Sequence, residues 1–177
     1  MKRPRSSWQK RFSMMKGSGW LRQHAEELGI NANNVNPASV DLTVGIDIKR
    51  LEYVDGKLEY NLAEVDQDEK GNFVTLIAGF HYLVATAEVL QIPEDCAAIV
   101  RLKSSLGRGG VHLTGADFYD PGYRGNGTVA MSPMASYKLY LGQKFVQIMF
   151  HEVAEIDTSY EGQYQNSSGA VGDLGAK

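Results

Sequence analysis

The sequence predicts an all-β fold, mainly antiparallel, of the barrel or sandwich kind, entered through one short N-terminal helix. Three observations predict it. From residue 38 onward, apolar residues recur at a period of two or in short runs. Those runs are separated by clusters of Gly, Pro, Asp and Asn. The stretch with helical spacing, GWLRQHAEELG at 19–29, is short and lies near the start.

In chain order, residues 1–18 carry six Lys/Arg and no acid, and read as a basic arm. Trp8, Phe12, Met14 and Met15 give that arm something to bury, so it suits a flexible or docking segment. In residues 19–29, Trp20, Leu21, Ala25 and Leu28 approximate one apolar face, and Gly29 suits the helix end. Ser39–Val44 alternates polar and apolar. Ile46–Ile48 and Leu51–Val54 continue the pattern, and Asp55-Gly56 is a hairpin signal. Residues 64–72 read as an acidic loop. Further strands are expected at 73–77, 80–85, 98–102, 127–131, 137–141 and 146–153. Residues 157–177 hold little apolar content and read as a mobile tail. The expected organisation is an arm at 1–18, a barrel domain at 19–156 and a tail at 157–177.

The totals narrow the function class. A chain of 177 residues suits one domain. With 43% apolar and 22% charged residues it has the balance of a globule, and its net charge of -3 argues against a general nucleic-acid binder. The single cysteine, Cys96, excludes an intrachain disulfide and a Cys-rich zinc site. Its strand-like surroundings suit a packed thiol. The four histidines lack metal-ligand spacing. His112, after a glycine turn, is the one placed for a role. No run of 18 apolar residues and no signal-type apolar segment occurs, so a cytoplasmic location is expected.

Several stretches carry residues suited to chemistry. KSSLGRGG, residues 103–110, follows a strand and combines two hydroxyls, two cations and glycine-freed amides. Those are the parts that hold phosphate oxygens, and a capped turn is the equally plain alternative. Helical spacing would gather Ser104, Ser105 and Arg108 near one short turn. DPGYRG, residues 120–125, is turn chemistry that holds a carboxylate, a ring and a guanidinium together. Asp41 and Gln147 are polar residues inside apolar strands, suited either to solvent or to a pocket.

In this order, the stretches NPASVDLTVG, KSSLGRGG, DFYDPGYRG and GQKFVQIMF resemble the four motifs of the trimeric dUTPase and dCTP deaminase superfamily. YEGQYQNSSGAV is similar to the glycine-containing tail of its deaminase branch. The resemblance spans roughly residues 19–171. It implies a distorted β-barrel or jelly roll and a homotrimer with shared sites that takes a deoxypyrimidine nucleoside triphosphate. It implies that Tyr123 packs on the deoxyribose and that Asp120 sits below the sugar. Ser104, Ser105 and Arg108 would bind phosphates, with Gln147 and Tyr164 as further substrate contacts. Magnesium would ride mainly on the phosphates, with Asp41 reaching it through water.

The two branches differ in one group. The deaminases carry a proton-shuttling glutamate on the strand after the third motif, and its place falls on Ala130. Gln163 and Ser167 stand where the deaminase tail has a lysine and a glutamine, and Lys103 replaces an arginine. The expectation is therefore a dUTP diphosphatase, with Asp120 as the catalytic group for pyrophosphate release. dCTP deaminase, yielding dUTP or dUMP, is the alternative, and a catalytically weakened nucleotide-binding homologue is a second one.

Overall fold

The structure is a computed structural model that describes residues 14–172. Among these residues, eleven strands carry the fold, interrupted by two short α-helices and one 3-10 turn at Ala32–Asn34. One long sheet runs, in order, β7 (Val111–Gly115), β9 (Arg124–Pro133), β5 (Tyr82–Gln91), β1 (Val40–Val54), β11 (Lys144–Glu152), β6 (Cys96–Leu102) and β8 (Phe118–Tyr119), with β2 (Lys57–Leu62) added on β1. A small second sheet runs β10 (Tyr137–Tyr140), β4 (Gly71–Leu76) and β3 (Asp66–Asp68). The named strand pairs are all antiparallel, as the alternation predicts.

β1 (Val40–Val54) is longer than the sequence suggests, because three apparent strands are one. It pairs first with β11 (Lys144–Glu152), then with β5 (Tyr82–Gln91) and β2 (Lys57–Leu62). Register shifts between Leu42 and Thr43 and between Val44 and Ile48 bend it from one partner to the next. Curling one strand across several neighbours rolls the sheet around its inner face. Leu42, Val44, Ile48, Val84, Val129 and Phe150 fill that interior. β1 and β2 meet at the expected hairpin, where Asp55 and Gly56 both take positive φ, as a two-residue primed turn requires.

The acidic stretch at 64–72 is not a loop. It contains β3 (Asp66–Asp68) and opens β4 (Gly71–Leu76), which pairs with β10 (Tyr137–Tyr140). Cross-strand partners make an acidic strand tolerable here. Asp68 accepts from Lys138 Nζ at 2.8 Å and from the Tyr140 hydroxyl at 3.0 Å. The Lys138 contact, with further hydrogen bonds, holds its carboxyl down at about 2.

α1 (Ser18–Gln23) is shorter than the apolar face at 19–29 suggests. Its N-cap is Gly17, with no side chain to cap the first amides, and the chain tightens into turns after Gln23. Leu21, Ala25 and Leu28 are nevertheless buried as that face predicts. Most of the basic arm, including Trp8 and Phe12, lies outside the described residues. Its last part docks on β11 of the same chain. Met15 bridges His151, and Lys16 Nζ meets Glu152 at 2.9 Å.

β6 (Cys96–Leu102) leads into α2 (Ser104–Arg108), then β7 (Val111–Gly115), β8 (Phe118–Tyr119) and β9 (Arg124–Pro133). Cys96 is buried, and burial first, with Asp95 beside it, pushes its thiol up to about 12. It packs and does not attack. No helix among the described residues is long and apolar enough to cross a membrane.

Candidate active site

The turn at Asp120–Tyr123 builds one wall of a cavity of about 480 Å³. Pro121 and Gly122 stand at the central positions, Gly122 has φ +84°, and the Tyr123 amide donates to the Asp120 carbonyl at 3.2 Å. This is type II geometry, which needs φ > 0 at its third residue. Tyr123 thereby points inward, buried among aromatic rings. Tyr119 lies 5.0 Å away and Tyr160 meets it edge-on at 5.8 Å. The Tyr123 hydroxyl donates to the Asn126 carbonyl at 2.8 Å and lies 2.7 Å from the Ser167 hydroxyl. Burial raises the phenol's pKa, with the Ser167 hydrogen bond opposing, so it stays neutral. Asp120 is exposed at the cavity mouth and is the sole carboxylate lining it among the described residues.

The floor is the face shared by β5 and β9. Leu83 stands opposite Ala130 in register. Ala130 is buried with Leu83, Ala85 and Ala170, and Tyr60 packs against them. The methyl of Ala130 therefore forms apolar floor, with no carboxylate at that position. His81, two residues before Leu83, also lines the cavity. His112, favoured by the sequence, is exposed and lies outside it.

The tail supplies the rim. Tyr160, Tyr164 and Ser167 line the cavity. Ser167 bridges Gly125 in parallel, and a Cβ on Gly125 would fall 2.6 Å from the Ser167 hydroxyl, so only glycine lets the tail approach. Asn126 holds this arrangement. Its Nδ2 donates to Thr86 and Glu88 carbonyls, and its Oδ1 accepts from the Gly169 amide at 3.0 Å. Further on, Asp47 accepts from the Ala170 amide at 2.9 Å and Lys49 donates to the Ala170 carbonyl at 2.6 Å. Sequence reading missed Asn126, Asp47 and Lys49. The one local signal was Gly-Asn-Gly inside a strand, where glycine marks a close backbone approach.

The remaining candidate residues form two groups apart from the cavity lining. Ser104, Ser105 and Arg108 do lie on one helical turn, α2, and all three are exposed. Leu106, fully buried, pins that turn to the core. Asp41 and Gln147 belong to a polar cluster at the start of α2. Asp41 accepts from Lys103 at 2.8 Å, Asn36 at 2.9 Å and Gln147 at 3.1 Å, and Lys144 stands 3.7 Å away. Burial pushes the Asp41 carboxyl up, but the Lys103, Gln147 and Asn36 hydrogen bonds outweigh it and hold it below the usual range. A carboxylate so enclosed by cations and amides does not fit a direct metal ligand, and the contact expected of Asp41 runs through water. No cluster of three His, Cys, Asp or Glu among the described residues could hold a metal either.

A second depression, behind the Asp120 turn, is lined by Glu27, Glu94 and Glu161 with Arg124. Three carboxylates against one guanidinium give this depression an acidic wall.

Residues 17–153 match the sequence profile of the dCTP deaminase-like family. The chain is 34% identical over 137 residues to a dCTP deaminase of Thermococcus gammatolerans, covering 76% of this chain and 80% of that one. It is 31% identical over 152 residues to a "dCTP deaminase, dUMP-forming" of Persephonella marina, covering 80% and 83%. Among solved structures it resembles the 2'-deoxycytidine 5'-triphosphate deaminase of Agrobacterium tumefaciens, at TM-score 0.63 and 25% identity over 80% of this chain. The chain spans about half the length of that protein.

These likenesses overturn the expectation of a dUTP diphosphatase. It rested on the missing carboxylate at Ala130 and on Lys103, Gln163 and Ser167 standing in place of the residues of the deaminase pattern. A few positions decide less than similarity spread over the whole barrel, and that similarity is to deaminases. The chain belongs to the dCTP deaminase-like family.

Proposed function

We propose that this protein deaminates dCTP, adding water at cytosine C4 and releasing ammonia. The observation that carries the reading is the aromatic cavity formed by the Asp120–Tyr123 turn in a chain of this family. Its volume suits a nucleoside. Tyr123 lies against the deoxyribose and leaves no room for a 2'-hydroxyl. Asp120, exposed at the mouth, accepts from a sugar hydroxyl. Tyr164 and the tail cover the bound nucleotide. The base rests over Leu83 and Ala130 on the floor.

Among the described residues no Lys or Arg lines this cavity, yet a triphosphate needs several cations. Ser104, Ser105 and Arg108 supply that chemistry from α2, supported by the Asp41, Lys103 and Gln147 cluster. In a homotrimer the α2 turn of one copy serves the cavity of the next, so each site is built by two copies. Magnesium arrives on the triphosphate and neutralises part of its charge.

A second reading, a homologue that holds dCTP without turning it over, is favoured by the methyl group at Ala130. Separate incubations with dCTP and dUTP in the presence of Mg²⁺, followed by chromatography, distinguish the outcomes. Uracil nucleotide and ammonia from dCTP support deamination, and the chromatogram separates dUTP from dUMP plus pyrophosphate. Saturable dCTP binding without product supports the second reading.

A further inference from the structure

We propose that His81 is the proton-shuttling group of this site, doing the work that a carboxylate at Ala130 would otherwise do. The inference rests on the deaminase reading above. It starts from the register of β5 and β9. Tyr82 faces Met131 and Leu83 faces Ala130, and His81, the residue just before β5, lies against Ser132, its Nδ1 3.4 Å from that hydroxyl. Side chains alternate along a strand, which puts His81, Leu83, Ala130 and Ser132 on one face. His81 is therefore the diagonal neighbour of Ala130. Such neighbours lie about 7–8 Å apart at Cα, within reach of a ring. Both residues line the same cavity.

The surroundings of the ring suit the task. Nδ1 lies 3.4 Å from the Thr114 hydroxyl and 3.4 Å from the Ser132 hydroxyl, which fix the ring's orientation from one side. The Tyr60 ring flanks it at 6.2 Å. Burial lowers the His81 pKa below the ordinary imidazole value, so the ring is neutral near pH 7 and able to accept a proton. Of the described residues lining the cavity, Asp120 and His81 have the carboxylate and imidazole side chains suited to moving a proton. Asp120 stands at the mouth, on the hairpin. His81 stands at the floor, beside the position assigned to the base.

The step balances without any other reactant. The imidazole takes one proton from the attacking water as its oxygen bonds to C4. That proton is passed to the leaving nitrogen, and the C4–N bond breaks to release ammonia. The second proton of the water ends on N3, giving uracil. A group positioned in this way contributes about 10²–10⁴-fold.

The test uses His81→Gln, the double variant His81→Gln/Ala130→Glu and the wild type. It measures ammonia release from dCTP and dCTP affinity by calorimetry. His81→Gln is expected to bind dCTP within a few-fold of wild type and to lose about 10²-fold or more in kcat. The glutamate at 130 is expected to restore turnover while the histidine is still absent, which a merely structural role for His81 could not explain. Turnover by His81→Gln within a few-fold of an active wild type overturns the shuttle and leaves the deaminase reading standing. A double variant that binds dCTP yet stays as slow as His81→Gln also overturns it. A wild type that binds dCTP and releases no ammonia overturns the deaminase reading, and the shuttle with it.

Discussion

The Tyr123 phenol oxygen lies 2.7 Å from the Ser167 hydroxyl, so the ring that walls the aromatic cavity is tied directly to the tail that rims it. A rigid ring can refuse a 2'-hydroxyl, whereas a ring free to yield would discriminate weakly. Tyr123→Ala should therefore lose preference for dCTP over CTP, measured as the ratio of kcat/KM values, together with some kcat from poorer positioning. Tyr123→Phe keeps the ring and loses only the hydrogen bonds, so most of the preference should survive.

Three hydrogen bonds join Asn126 to the tail: its amide donates to the Ser167 carbonyl at 3.0 Å, its carbonyl accepts from the Ser167 hydroxyl at 3.2 Å and its Oδ1 accepts from the Gly169 amide at 3.0 Å. Asn126→Ala removes the Gly169 bond and the two that Nδ2 makes to the Thr86 and Glu88 carbonyls. Each such bond contributes about 0.5–1.5 kcal/mol net, and a donor or acceptor left buried costs more. Unfolding in urea should show the variant destabilised by about 1–3 kcal/mol, and proteolysis should cut it faster within residues 157–172. A chain truncated after Asp157 should stay folded, lose the Ala170 contact with Leu83, Ala85 and Ala130, and turn over dCTP poorly.

Asp41 gives a pH-dependent term with a definite sign. Its folded-state pKa is depressed, so its contribution to stability is present above the unfolded value of about 3.9 and fades as pH falls through the folded value. Wild-type stability should drop as pH falls below about 4, and Asp41→Asn should show a shallower drop there. Lys103→Met leaves the carboxylate buried with fewer partners. The pair is partly exposed, so about 1–3 kcal/mol at neutral pH is expected, between the values for surface and buried pairs.

Much of the fold was legible because the physics behind it is local. Alternation at Ser39–Val44 and the Asp55-Gly56 turn depend on neighbours in sequence, and both appear as expected. The acidic strand Asp66–Asp68 was not legible, because Lys138 and Tyr140, some 70 residues away, make it tolerable. The site divided the same way. Ser104, Ser105 and Arg108 were expected on one helical turn and lie on one, and Asp120 and Tyr123 lie together at the cavity. His81 was passed over because its closeness to Ala130 comes from the β5–β9 register, which no local pattern announces. The absent carboxylate at Ala130 misled in the opposite direction. It was visible, and it was given more weight than the rest of the barrel supports.

Sharing of each site between copies has a complementation test. Arg108→Ala lacks the phosphate contact but keeps the cavity, so KM should rise and kcat fall together. Asp120→Ala keeps the α2 turn and loses the sugar contact. Trimers refolded from an equal mixture should regain activity, up to about one quarter of wild-type sites by random pairing of a symmetric ring. A mixture no more active than its parts would place the whole site within one copy.

The most direct measurement follows the nitrogen itself. dCTP labelled with ¹⁵N on the 4-amino group is incubated with the full chain and Mg²⁺ and followed by NMR. The account predicts that the label leaves the nucleotide as ammonium while a uracil nucleotide accumulates in equal amount. Label that stays on cytosine while dCTP saturates the protein, or pyrophosphate released from dUTP with dCTP untouched, would contradict it.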